Sequence, residues 1–414
     1  MSYSVNTFTD YVLLFGSSSL VGKGTLENLL DINLYIKNVS DLQGKLDSLS
    51  EIKGNVVLNK HVFCVNRRCI NEEKSFMKTI DYINMRSVTW QGGRYYLRSR
   101  KEKDTEKVPS SPNTFCYDNF EEGFIKNTPE ERGKDGYSFV YNQKQFSYTL
   151  HYACGKEKGI EIIYNFTVTQ LIIPRSETWP KLLPRIFSGT QKLEKFDIDN
   201  KNYVPGRSLP SLCDISTMVC SLGSTSARVR RTQVPSSFAD YYLPFNLAQE
   251  FTNTINKRLV VTTAFNNDFL SKTFEYFRIK AKLENDLDEA LPNKLKELVI
   301  LRPGPMCGQH GNPINVELGK ENSTFLEKIF YYPHYLLVYK KKYISEARRI
   351  GLRTKLSEII ASSIYRMPGS ALLGYAVPVS KVSYVASLMA IERKSKEAGP
   401  KLEVISSYQI DMIV

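Results

Sequence analysis

The run LLFGSSSLVGKG, from Leu13 to Gly24, decides how the whole chain is read. An apolar stretch beginning at Tyr11 and ending at Phe15 enters a glycine turn, and a helical pattern with Leu26, Leu29 and Leu30 on one side leaves it. Strand, turn and helix in that order form the first crossover of a dinucleotide-binding fold. Gly16 and Gly22 take the outer positions of G-x-x-G-x-x-G, where one glycine permits the tight bend and the other lets the helix pack close to the strand. The middle position is Ser19, which adds a Cβ where a pyrophosphate would approach. The hydroxyls of Ser17, Ser18 and Ser19 and the helix amides from Leu20 and Val21 onward offer donors to an anion there. The plainer alternative is a strand-to-helix turn that binds nothing.

Outward from this turn, short continuous apolar runs recur at HVFCV from His61, STMVCSLG from Ser216, RLVVTT from Arg258 and ELVILRPG from Glu297. Continuous rather than alternating runs mark parallel strands covered on both faces. Helical patterns at Thr25 to Leu30, Leu243 to Ile255 and Tyr276 to Leu287 separate several of them. A right-handed βαβ series follows, and with it an α/β, doubly wound parallel Rossmann sheet.

Between Cys69 and Cys213 the rhythm changes. YSFVY, FSYTLHY and IEIIYNFTV alternate with period two, with turn signals at Asn142-Gln143 and from Cys154 to Gly159, which predicts an antiparallel meander. SVTWQGGRYYLRSR reads as a hairpin about Gly92-Gly93. Residues 85–174 are therefore expected to form a large, mostly β insertion. Residues 1–84 and 175–414 would supply the Rossmann domain with an extended C-terminal α+β part.

The 414 residues carry a formal net charge of +13 with a pI near 9.2, which favours anionic partners without specifying a fold. Seven cysteines without paired CxxC spacing argue for reduced thiols and against a metal site, with Cys64 and Cys220 buried inside strand patterns. No window reaches the roughly 20 apolar residues of a membrane span. The first ten residues lack Arg and Lys and do not resemble a cleavable mitochondrial presequence.

Two further patterns suggest chemistry. The second strand ends in VNRR, placing Arg67 and Arg68 where such a fold meets the adenosine ribose, and arginine there accommodates the 2′-phosphate of NADP(H); a solvated basic turn is the alternative. YFRIKAKLE places Tyr276 and Lys280 at i and i+4, on one helical face. A nearby ammonium would lower the phenol toward a working acid/base, although a surface pair at this spacing is common.

Taken in order, LLFGSSSLVG, VFCVNRR, MVCSLGST, RLVVTTAF, YFRIKAKLE, LVILRPGPMCG and GYAVPVSKVSYVASLMA resemble the landmarks of atypical short-chain dehydrogenases. Among these the chain is most similar to the Tat-interacting oxidoreductase-like group and its fungal mitochondrial relatives. The resemblance runs from the first strand to Arg68 and over much of the chain from Cys213 onward, and omits the β insertion. It implies NADP(H) as cofactor, Leu222, Gly223 and Ser224 beside it, and Pro303 and Gly304 flanking the nicotinamide. It also implies Tyr276 as proton donor, Lys280 on the nicotinamide ribose, and Thr262 or Thr263 in place of the catalytic serine. An intracellular, mitochondrial setting goes with the resemblance, and the cytoplasm stays open as the alternative.

Three functions stay open at this level. One is an NADP(H)-dependent carbonyl or alcohol oxidoreductase. Another is a catalytically silent Rossmann scaffold that meets a protein partner through the insertion. The third is binding of nucleic acid or an acidic membrane surface through RVRR (Arg228 to Arg231), FYYPHYLLVYKKKY and ARRIGLRTK.

Overall fold

The computed structural model describes residues 6–30, 56–67, 86–91, 94–99, 114–126, 137–154, 160–189, 192–197, 202–223, 235–253, 257–290, 295–307, 377–391 and 401–413. The strands in chain order begin with β1 (Asn6–Phe15), β2 (Val56–Asn66), β3 (Arg86–Gln91), β4 (Arg94–Ser99) and β5 (Thr114–Lys126). β6 (Tyr137–Cys154), β7 (Ile160–Ile172), β8 (Lys192–Asp197), β9 (Asn202–Ser208) and β10 (Thr217–Cys220) follow. The series closes with β11 (Lys257–Thr262), β12 (Leu295–Arg302), β13 (Met306–Cys307), β14 (Val377–Pro378) and β15 (Lys401–Ser406). The helices are α1 (Leu20–Leu30), α2 (Trp179–Ile186), α3 (Leu243–Phe251), α4 (Asp268–Thr273), α5 (Glu275–Ala290), α6 (Val379–Ile391) and α7 (Ser407–Ile413).

Nine strands form one sheet in the order β15-β12-β11-β10-β1-β2-β7-β6-β5. Every neighbouring pair from β15 to β7 is parallel. The chain leaves β1 for β2 on one side and returns to β10 on the other, so the strand order reverses at β1 as the doubly wound reading requires. All five apolar runs picked out in the sequence are central parallel strands.

Their continuous apolarity has a simple cause, because successive residues serve opposite layers. Leu13, Phe15, Phe63, Val65, Met218, Leu259 and Val261 pack with Trp179 of α2, Leu247 and Phe251 of α3, and Leu283 and Leu287 of α5. Val12, Leu14, Val62, Val219, Val260 and Val299 are buried as well, and α6 packs across β10, β11 and β12 with Val382, Val385 and Ala386 buried. Cys64 and Cys220 are buried and take part in no disulfide.

Small residues bring α1 and α6 close. A Cβ on Gly24 would stand 2.5 Å from Ser383 Oγ. Ser383 donates to the Val21 carbonyl at 3.0 Å, and Ser387 donates to the Thr25 carbonyl at 3.0 Å. On the far edge of β11, Arg258 pairs with Glu297 at 2.7 Å and donates to the Met389 carbonyl at 3.1 Å.

The alternating segments depart from expectation in two ways. YSFVY and FSYTLHY are one strand of 18 residues rather than two, and Asn142 and Gln143 sit inside it, paired with β5 and β7 together. A ladder on both sides overrides a weak turn signal that carries no glycine. IEIIYNFTV, read as meander, is antiparallel to β6 but parallel to β2, which makes β7 the third parallel strand. The β5–β7 part of residues 85–174 thus continues the central sheet rather than standing beside it. The strands expected on either side of Gly92-Gly93 pair antiparallel as β3 and β4, with Gln91 opposite Arg94, and the two glycines lie outside the described residues.

Candidate functional site

The parallel register lines up one residue from each of four neighbouring strands. Phe15 is level with Val65 and with Cys220, and Cys220 with Val261. One step further along lie Asn66, Gly16, Ser221 and Thr262, in a row at the carboxyl ends of β2, β1, β10 and β11. Three strand spacings give that row a width of roughly 14 Å. Among the described residues, the buried side-chain polar atoms without a hydrogen-bond partner are Asn66 Nδ2, Ser221 Oγ, Thr262 Oγ1 and Asn266 Oδ1. Three belong to the row and the fourth lies just beyond β11. Each such atom costs about 1–3 kcal/mol in a closed core, and a doubly wound sheet takes its ligands at this edge.

Gly16 makes the turn with φ +83°, and a Cβ there would fall 2.6 Å from the Ser221 carbonyl oxygen. The Ser221 amide in turn donates to the Phe15 carbonyl at 3.0 Å. Gly22 is tighter still, its virtual Cβ lying 2.1 Å from the Gly16 oxygen. Both glycines are therefore required by contact.

The serines divide. Ser17 is buried and donates to Asn66 Oδ1 at 2.8 Å. Ser19 caps α1: its Oγ accepts from the Gly22 amide at 3.1 Å and donates to the Ser221 carbonyl at 3.2 Å. Of the three hydroxyls read as phosphate donors, Ser17 and Ser19 are engaged by the chain itself and Ser18 stands exposed. The amides of Leu20 and Val21, in the first turn of α1, have no intrahelical acceptor available.

Arg67 follows Asn66 directly and is half-buried. Arg68 and Ser224 lie outside the described residues, as do RVRR and both of the basic C-terminal stretches. Pro303 is buried and Gly304 half-buried, and the Pro303 carbonyl accepts from the Phe265 amide at 2.7 Å, tying this turn to the segment after β11.

α5 carries Tyr276, Lys280 and Glu284 at i, i+4 and i+8, one stripe. Lys280 is buried and its Nζ lies 3.0 Å from Asp240 Oδ1, with the Leu222 carbonyl at 3.5 Å. Asp240 sits in a π-helical turn (Phe238–Tyr242) leading into α3 and is itself fully buried. Gly223 packs against the same carboxylate, its virtual Cβ 3.5 Å from Oδ1. Tyr276 remains 43% exposed. Desolvation raises its phenol above the ordinary value, Lys280 pulls it down, and Asp240 pushes it up again. The expected net lowering by Lys280 does not occur, because burial of the phenol outweighs the ammonium and the Asp240 carboxylate opposes it as well.

Strand alternation separates the two threonines. Thr263 turns toward α5, where its hydroxyl reaches Glu284 and the Leu301 carbonyl, and Glu284 also takes Arg302 at 2.6 Å. Thr262 turns the other way and keeps a buried, unpartnered hydroxyl. Thr262→Val should leave stability unchanged or raise it by about 1 kcal/mol, whereas Thr263→Val should lower it by about 2 kcal/mol by removing the donor to the buried Glu284 Oε1 while Arg302 stays on Oε2. Urea unfolding of the two variants in parallel checks the contrast.

Asp240, Glu284 and Arg302 escaped the sequence reading. Glu284 extends the Tyr276–Lys280 stripe by one turn and was open to the same spacing rule. Asp240, inside the aromatic run FADYY, is joined to Lys280 only by the fold. Among the described residues no cluster of His, Cys, Asp or Glu could hold a metal ion, and no helix is long and apolar enough to cross a membrane.

A parallel sheet that reverses strand order at β1, with a glycine turn at the reversal, defines a Rossmann-like α/β protein. The chain belongs to the HIM1 family. It is 99% identical over 414 residues, all of both chains, to Protein HIM1 of Saccharomyces cerevisiae, and the HIM1 family model matches residues 168–336. Similar solved structures include the reductase domain of PhqB from Penicillium fellutanum, at 10% identity and a TM-score of 0.33, covering 95% of this chain and 66% of that one. Another is Pen from Bacillus thuringiensis, at 11% identity and a TM-score of 0.28, covering 76% and 56%.

Proposed function

We propose that this chain binds NADP(H) at the carboxyl edge of its sheet and holds it as a ligand, in a reductase-type site whose proton-transfer pair is at rest. The observation that carries this is the row of buried, unpartnered polar atoms at Asn66, Ser221 and Thr262, next to a glycine turn that only glycine can make. These residues fit a nucleotide. Ser18 and the first amides of α1 would take phosphate, Arg67 with Arg68 would face the adenosine end, and Asn66, Ser221 and Thr262 would meet the polar groups between. Leu222, Gly223, Pro303 and Gly304 border the other end.

When bound, such a cofactor supplies hydride to, or accepts it from, a carbon bearing oxygen. The chain would contribute the proton through Tyr276. Three features hold that step back: Lys280 is paired with Asp240, the Tyr276 phenol titrates above its ordinary range, and the Thr263 hydroxyl is engaged by Glu284. An active reductase of the short-chain dehydrogenase type is the second reading, favoured by the retained Tyr276–Lys280 stripe. Capture of a protein partner through the insertion at residues 85–174, which the resemblance omits, is compatible with either.

Thermal unfolding of the purified chain with increasing NADPH, and separately NADH, tests the proposal. NADPH at a hundred times its dissociation constant should stabilise the fold by about 2.7 kcal/mol. NADH should do so more weakly. Indifference to both nucleotides at millimolar concentration would remove the proposal.

A further inference from the structure

The pairing of Lys280 is not a consequence of its place on α5. Its Nζ is 3.0 Å from a carboxylate on a different helix, and both groups are sealed, with side-chain exposures of 2% and 0%. The partner is presented by a π-helical turn, an irregularity that costs backbone regularity and recurs at functional sites. A Cβ on Gly223 would meet the same carboxylate at 3.5 Å, and the same ammonium reaches the Leu222 carbonyl, so the pair is built beside the turn that ends β10. We infer that Asp240 is a positioning residue of this site: it engages Lys280 in place of the Tyr276 phenol and so determines whether Tyr276 and Lys280 can work as a pair.

Among the described residues, two charges act on the phenol. Tyr276 senses Lys280 from its own helix and Asp240 from the π turn. Lys280 also faces the Cys220 thiol of β10, which burial pushes up to about 11, so it is neutral at physiological pH. On the next helical position, the Tyr241 hydroxyl donates to Asp286 while Lys282 lies 4.8 Å over the Tyr241 ring, a separate set of partners. With Asp240 neutral, the Lys280 charge would act on Tyr276 uncompensated. With Lys280 neutral, the carboxylate would act alone and in the opposite sense.

This inference rests on the reading of Tyr276 and Lys280 as a reductase-type pair, and its test needs neither cofactor nor substrate. 3-Fluorotyrosine placed at position 276 of the full chain reports the phenol by fluorine NMR during a pH titration. Asp240→Asn should lower the midpoint by about one pH unit, a tenfold rise in phenolate at a given pH, and Lys280→Gln should raise it by about as much. A merely structural carboxylate would not move this midpoint. If Asp240→Asn folds weakly, the titration is run in trimethylamine N-oxide, which favours the compact state. The NADPH thermal shift on the same samples separates the two proposals, since its absence removes the binding reading and leaves the titration standing. A midpoint that Asp240→Asn leaves in place overturns the inference.

Discussion

Lys257→Met is expected to destabilise the chain by on the order of 4 kcal/mol. Lys257 opens β11 and is almost entirely buried, yet among the described residues its ammonium makes no ion pair. It donates instead to the carbonyls of Leu212 at 2.7 Å and Cys213 at 2.8 Å and to that of Ile215, and stands 5.2 Å over the Phe251 ring. The chain reverses here from the 3-10 turn (Leu212–Asp214) into β10, and that turn has no other donor of comparable strength in the described contacts. Methionine fills the volume and donates nothing. Urea unfolding should show a lower midpoint with an unchanged slope.

The pH dependence sharpens the prediction. Burial holds the Lys257 ammonium below its ordinary pKa, partly offset by Cys213 and Asp214. The folded chain therefore loses this proton before the unfolded chain does, whose lysine titrates near about 10.4. Between those two points the unfolded state binds more protons, so the stability contributed by Lys257 rises with pH through that window. The gap between wild type and variant should widen from neutral toward alkaline solution. A gap that narrows would mean the ammonium is better solvated than its surroundings indicate.

Gly22→Ala is the second large effect, with an expected loss of roughly 3 kcal/mol. The added methyl would have to occupy a point 2.1 Å from the Gly16 carbonyl oxygen, and backbone rather than a flexible side chain is what stands there. Relief requires moving either the turn or α1. The turn is pinned by the Ser221 amide on Phe15 and by the Ser19 hydroxyl, and α1 is pinned by Ser383 and Ser387. By contrast, Gly223→Ala places its Cβ at an ordinary 3.5 Å from Asp240 Oδ1 and should be tolerated within about 1 kcal/mol. Calorimetric melting of both variants distinguishes a contact-limited glycine from a permissive one.

The sheet was legible because burial on both faces leaves an unmistakable trace: Val12 to Phe15 cannot be read as anything wetter. β7 was harder. Its residues alternate as those of a one-faced strand would, and nothing in a strand's composition records that β2 runs parallel to it while β6 runs opposite. Gly16 and Gly22 could be singled out because close backbone approach excludes every other residue. Tyr276 and Lys280 could be paired because helical spacing is local. The choice between Thr262 and Thr263 needed the strand's exact phase, and Asp240 needed a fold that joins positions 40 residues apart in sequence. Ser19 shows the converse: its identity stood out in the glycine turn, while its rotamer, turned to cap α1, could be read only from the fold.

The seam between α1 and α6 has a bearing on biosynthesis. Val21 and Thr25 find their hydroxyl partners at Ser383 and Ser387, both 362 positions downstream. On a translating ribosome the first crossover must therefore wait, its sheet face laid down but its outer side bare, until nearly all of the polypeptide has emerged. Non-local closure of this kind slows folding and prolongs exposure of apolar surface. A nascent chain halted before residue 383 should depend on chaperones far more than the released protein does.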